Sequence, residues 1–283
     1  MKRAAEQLRS LERFHEVLTV STIAEEIVSV NVGEKATEAL KIMEERHFDV
    51  LGLQEGDTII GYVEASDLQS KDHLAESVCG IFCKGWNGAN LVNESCSLAE
   101  CMAKLKEVRR LFVHTSGLVH GIVTRADMHK QPIRMLLFSV VSLLEMALLS
   151  LIRETYPEER RWKPLLSGPR LDAAEELLRK RTDAAIDIHL LDCLQLVDKG
   201  TILRKTQHLR ASLGFESNGK CEKFFGRLDG VRNALAHGGA LQDDPKLTRA
   251  MVVDTFETAS GVLGRSIRLL EEQEENARIR AEA

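Results

Sequence analysis

The chain is short of the features that would send it out of the cell or hold it on a membrane. Residues 1 to 18 start with basic residues but contain no apolar core, so they are not expected to act as a secretory signal. They read instead as an amphipathic helix, residues 1–20, that packs on the first half of the chain or on another subunit. No lipidation signal, low-complexity tract or confident membrane span is visible, so no membrane partner is expected and the cytoplasm is the expected location. Cysteine is sparse as well, 6 in 283 residues, scattered through both halves as suits a reducing compartment. Cys79, Cys83, Cys96 and Cys101 fall close together, yet their spacings are loose for zinc and no histidine completes a set, so no metal site is expected. Basic residues are the minority charge, 38 against 43 acidic ones, for a formal net charge of -5. What is present is ordinary for a globular protein, 44% hydrophobic and 29% charged, with enough length for two domains that each have a core.

From about Ser21 to Arg134 the pattern is that of short strands and amphipathic helices. Val28 to Val32 alternates, Ala36 to His47 has helical spacing, and Asp49 to Leu53 and Thr58 to Val63 flank a Gly56-Asp57 turn. About sixty residues later the order recurs. Leu91-Val92 precedes a helix from Leu98 to Val108; then come Arg110 to Val113, a turn at Thr115-Ser116-Gly117, Leu118 to Val123, and a helix from Thr124. Two copies of a strand-helix-strand-strand-helix unit, about 21–71 and 90–134, imply a duplicated module whose copies pack on each other.

The stretch from Gly121 to Met128, with Thr124 after the strand and Asp127 three residues on, resembles the signature of CBS domains, and residues 21–134 resemble a tandem CBS pair. The resemblance implies binding of an adenosine nucleotide of the AMP or ATP kind. Asp127 would accept the ribose hydroxyls, and Thr124 with nearby backbone amides would hold phosphate, a division that suits an acceptor-only carboxylate and a helix start. Arg125 is a candidate phosphate clamp. The first copy, Gly61 to Leu68, keeps the aspartate as Asp67 but has Glu64 in place of the hydroxyl residue. An acid there repels phosphate, so the first site is expected to be weak, altered or empty. Thr124 and Asp127 also suit a plain helix cap, worth about 1 kcal/mol.

From residue 135 to 283 the sequence reads as an all-helical bundle: Leu136 to Ile152, Leu171 to Lys180, Ile186 to Val197, Lys220 to Ala236, and Leu247 to roughly Arg280. Glu145 lies in the middle of the first of these, apolar nearly all round, and needs a partner. Arg232 is the partner expected; a dimer groove or Tyr156 are alternatives. Between Arg204 and Arg232 the charge turns basic, and Arg204, Lys205, Arg210, Lys223 and Arg227 are candidate RNA contacts, or a solvated face.

The run Arg232-Asn233-Ala234-Leu235-Ala236-His237, closed by two glycines, puts a histidine in the last turn of a helix. It resembles the Arg-x-x-x-x-His signature of HEPN domains, many of them metal-independent endoribonucleases. Five residues turn an ideal helix by about 500°, leaving Arg232 and His237 about 140° apart, so the two converge only when two copies meet about a two-fold axis. The resemblance therefore implies a homodimer with RNA as substrate and no cofactor required for catalysis. His237 would move the proton, Arg232 would stabilise developing phosphorane charge, and Asn233 would orient phosphate or arginine, with Glu145 in support. The expected whole is an α+β CBS pair followed by an all-α HEPN bundle, a nucleotide-regulated endoribonuclease. The alternative is a non-catalytic nucleotide-sensing, RNA-binding or assembly module, in which His237 merely caps its helix.

Overall fold

In the computed structural model, residues 5–6, 8–9, 17–69, 77–184, 188–236 and 247–282 are described, 280–282 by backbone alone. Contacts divide the chain into two units, Val17–Ile133 and a second made of Met1–Glu16 with Arg134–Ala283. The N-terminal segment thus groups with the helical half, not with the duplicated half, and Arg9 ion-pairs with Glu271 there.

The first unit is built twice over. Strands β1 (Glu25–Glu26) and β2 (Ser29–Asn31) lead to helix α1 (Ala36–Arg46), strands β3 (Val50–Glu55) and β4 (Thr58–Glu64), and helix α2 (Ala65–Gln69). The second copy has β5 (Leu91–Asn93), α3 (Leu98–Glu107), β6 (Arg110–Thr115) and β7 (Leu118–Thr124), closed by a 3-10 turn at Arg125–His129. Within each copy the strand before the helix, β2 or β5, runs parallel and the last strand antiparallel to a central strand, and β1 adds antiparallel to β7, giving sheets ordered β2-β3-β4 and β1-β7-β6-β5. The register slips at matching places, after Leu53 opposite Gly61 and after Val113 opposite Gly121. Fully buried runs such as Leu111-Phe112-Val113 explain why β6 reads as a continuous apolar segment rather than an alternating one.

The second unit is helical: α4 (Gln131–Thr155, whose first residues belong to the other unit), the short α5 (Glu159–Trp162), α6 (Gly168–Asp183), α7 (Leu196–Lys205), α8 (Gln207–Ser212), α9 (Asn218–Ala236) and α10 (Arg249–Glu282). Among the described residues α4 is the one helix long and apolar enough to cross a membrane, but 56% of that stretch is buried within the protein, as in the core helix of a bundle. The expected helix from Ile186 to Val197 does not form as one piece. A 3-10 turn at Leu190–Cys193 is closed by Asp192 accepting from the His189 amide, and α7 starts afresh with Asp198 accepting from the Gln195 amide. Two local caps outcompete a continuous apolar pattern.

Helices α7 and α9 meet at Gly200, where a Cβ would stand 2.5 Å from Cγ and 2.9 Å from Cβ of Phe225. Gly200→Ala is therefore expected to overpack this contact and cost about 1–3 kcal/mol, read as a lower midpoint in thermal unfolding followed through buried Trp162.

Candidate functional site

A cavity of about 630 Å³ opens in the first unit where the two copies face each other. From the second copy it takes Thr124 and Asp127 at the end of β7, Ile122 on it, and Arg109 and Arg110 at the start of β6. From the first it takes His47, Phe48, Asp49 and Val50, with Glu25 to Val28 completing the wall. The volume is that of a small-molecule site. Val50 lies where Arg110 lies in the other copy, so duplication has brought two equivalent strand starts to one opening.

Thr124 and Asp127 form a reciprocal cap. The Thr124 amide and hydroxyl donate to Oδ2 of Asp127 at 2.6 and 2.9 Å, and the Ala126 amide donates to the Thr124 hydroxyl at 3.2 Å. Lys130 reaches the other oxygen, Oδ1, at 2.9 Å and also ion-pairs with Glu25. Burial works against the Lys130 charge, yet Glu25 and Asp127 more than offset it and raise its pKa. A carboxylate has about four acceptor positions. Two donors on Oδ2 and one on Oδ1 leave it room for a further hydroxyl.

Arg125, expected as a phosphate clamp, is bonded to the protein and does not line the cavity. Its Nε donates to the carbonyls of Leu105 and Val108 and its Nη2 to that of Lys106, at 2.9–3.1 Å, so the guanidinium caps the C-terminal end of α3. An arginine held by three carbonyls is committed to the fold.

In the first copy the linker lies along β4 at the matching place, as β1 lies along β7 in the second. Gly61 is overlain by the linker: a Cβ there would meet Cys83 Sγ at 2.5 Å and the Lys84 carbonyl at 2.6 Å. Tyr62 and Lys84 exchange two backbone hydrogen bonds, of 3.0 and 2.8 Å. That seat puts the Lys84 ammonium 2.6 Å from Glu64 and 2.7 Å from Asp67. Asp67, then Glu64, hold it above the usual lysine range. Glu64 also accepts from Arg110 Nη1 at 2.6 Å, while Nη2 of the same guanidinium donates to Asp49 at 2.6 Å. The Arg110 side chain is only 8% exposed. A chain of charge, Asp49 to Arg110 to Glu64 to Lys84 to Asp67, thus joins the cavity wall to the first-copy position.

Arg110 and Lys84 were not legible as site residues. The one signal for Arg110 was a charged residue opening an otherwise apolar strand, where the first copy has Val50.

In the helical unit Glu145 pairs with Lys199, not Arg232. Lys199 Nζ stands 2.7 Å from its Oε1, and the lysine side chain is 5% exposed. Tyr156 hydrogen-bonds to Thr206 at 2.8 Å; since the Thr206 hydroxyl donates to the Ile202 carbonyl, the phenol is the donor. Arg232 is 3.3 Å from Asp229 and donates to Asn233 Oδ1 at 2.8 Å, while Asn233 Nδ2 donates to Asp229 at 3.2 Å. His237 lies outside the described residues. Of the expected RNA contacts, Lys205 donates to the Leu165 carbonyl, Arg210 to the Arg204 carbonyl and Asn218, and Arg204 faces Glu222 at 3.4 Å. Lys223 and Arg227 lie one turn apart on α9.

A family model described as CBS domain matches residues 91–132. No curated protein matches the chain. Among solved structures the chain is similar to the CBS-pair protein CBSX2 of Arabidopsis thaliana, at 20% identity over 42% of this chain and 96% of that one, with a TM-score of 0.37. CBSX2 in complex with AMP matches at 21% identity over 42% and 98%, TM-score 0.37. A CBS domain protein of Thermoplasma acidophilum matches at 21% over 40% and 68%, TM-score 0.35. The family match lies wholly in the first unit and does not extend to the helical half. The N-terminal part of the chain has the CBS-type α/β fold, and residues 91–132 match the CBS domain family.

Proposed function

We propose that the first unit binds an adenosine nucleoside or nucleotide in the cavity bounded by Thr124 and Asp127, and that the chain is a ligand-sensing regulatory protein. The observation that carries this reading is the placement of Asp127, an acceptor-only group with spare capacity, on the wall of a cavity of about 630 Å³ in a CBS domain. Phe48 also lines the opening, beside Arg110, whose charge is already met by Asp49 and Glu64. The complex of CBSX2 with AMP shows a ligand of this chemistry on a similar protein. Asp67 is the weaker candidate, since the first copy has Glu64 in place of the hydroxyl residue and an acid there repels phosphate.

The test is calorimetric titration of the full chain with adenosine, AMP and ATP beside Asp127→Asn. Saturable binding with about one ligand per chain, weakened at least tenfold in the variant at a temperature where both proteins are fully folded, is expected, with a small fall in melting temperature from the altered Thr124 cap and Lys130 pair. Absence of binding to all three, or equal affinity in the variant, would reject the site.

A second reading, which rests on the Arg232-to-His237 sequence run, is a HEPN-type metal-independent endoribonuclease acting as a homodimer. At the end of α9, Asn233 bridges Arg232 and Asp229. In this reading the bound nucleotide sets the activity of Arg232, Asn233 and His237. Cleavage of single-stranded RNA in EDTA, lost in His237→Ala, is its expected result. RNA left intact by wild type with each of the three nucleotides leaves the regulatory reading alone.

A further inference from the structure

The donors that the sequence assigns to a phosphate are engaged by the protein itself. The Thr124 amide and hydroxyl both donate to Asp127, the Ala126 amide donates to the Thr124 hydroxyl, and the Arg125 guanidinium caps α3. The element that follows Thr124 is a five-residue 3-10 turn, too short to add much helix dipole.

Most cations beside the cavity are engaged as well. Lys130 serves two carboxylates, Glu25 and Asp127, which leaves that cluster in negative excess. Arg110 and Lys84 together serve three, Asp49, Glu64 and Asp67, with the same result. Arg109 differs from them. It lines the cavity, is exposed, and makes no hydrogen bond or ion pair among the described residues. Its neighbour Arg110 is the register partner of Thr124, so Arg109 stands at the end of the sheet where the Asp127 turn leaves β7.

We infer that Arg109 is the specificity-determining residue of this cavity: it holds the one phosphate of a nucleoside monophosphate, and the site discriminates against polyphosphates. Asp127 at the ribose and Arg109 at the phosphate would fix the two ends of one small molecule on one wall. A phosphate monoester carries a charge of about −1.5 to −2 near pH 7, and a guanidinium meets two of its oxygens with a planar fork. A second and third phosphate add charge that no free arginine or lysine on this wall meets, beside two clusters already in negative excess. The inference rests on the adenosine reading of the cavity. Binding of adenosine tests that reading; the ratio of AMP to adenosine affinity tests this one.

The experiment is calorimetric titration of the full chain with adenosine, AMP and ATP, beside Arg109→Gln and Arg109→Lys. AMP is expected to bind at least about tenfold more tightly than adenosine, and ATP no more tightly than AMP. In Arg109→Gln the advantage of AMP over adenosine should vanish. In Arg109→Lys part of it should return, since an ammonium keeps the charge but not the fork. Added salt should narrow the gap between AMP and adenosine in the wild type. An AMP advantage that survives in Arg109→Gln, equal binding of AMP and adenosine by the wild type, or ATP binding tighter than AMP would overturn the assignment. So would joint loss of adenosine and AMP binding in Arg109→Gln, which would make the arginine a structural residue. Absence of binding to all three by the wild type would reject the cavity reading and the assignment with it.

Discussion

Glu145→Ala should destabilise the helical unit by about 3 kcal/mol, because it removes the carboxylate that faces a nearly sequestered ammonium and leaves Lys199 charged without its partner. Glu145 is itself 29% exposed, so water softens the loss and the effect falls at the lower end of the range for broken buried pairs. The double variant Glu145→Ala, Lys199→Met removes both charges and is expected to recover most of the stability, since a thioether chain fills a similar volume. Urea unfolding followed through Trp162, which is buried in this unit, reads both steps. Equal midpoints for the single variant and the wild type would show that Lys199 finds another acceptor.

Arg110→Ala should lower the stability of the first unit by about 2 kcal/mol, because one guanidinium joins two carboxylates at one end of the β3–β4 hairpin, exposed Asp49 and half-buried Glu64, to the strand β6 of the second copy. Removing it leaves Glu64 to Lys84 alone and strips a cation from the cavity wall. Arg110→Lys should restore only part of the loss, since an ammonium is a point charge and cannot reproduce the planar fork that spans two acceptors. Trp86 reports this unit separately: it lies against Tyr62 and Phe112, with ring centroids 5.7 and 4.7 Å away, across the seam of the two copies. A variant whose Trp86 transition coincides with that of the wild type would reduce the network to a screened surface feature.

The first unit was largely legible because its information is local. Alternation and turn residues place β2, α1, β3 and β4 within a residue or two of their observed bounds, and the recurrence about sixty residues later repeats the lesson. Thr124 and Asp127 were legible for the same reason, since a cap needs only residues three apart. Arg125 was misread because the carbonyls that claim it belong to α3, and nothing in neighbouring residues says that a helix will end there against it. Glu145 announced its need for a cation, but the choice of Lys199 over Arg232 is made by how α7 packs on α4, which charge patterns along the chain do not encode. The helix between Ile186 and Val197 failed because apolar spacing was weighed and two capping aspartates, Asp192 and Asp198, were not.

The ammonium of Lys84, seated on Glu64 and Asp67, also bears on how steeply the chain could respond to its ligand. A duplicated module with two open halves can be cooperative within one polypeptide. If Asp127 marks the single site, a monomer is expected to titrate hyperbolically, because cooperativity requires at least two interacting sites. A Hill coefficient above one would show a second site, and its loss on replacing Asp67 would place that site in the first copy.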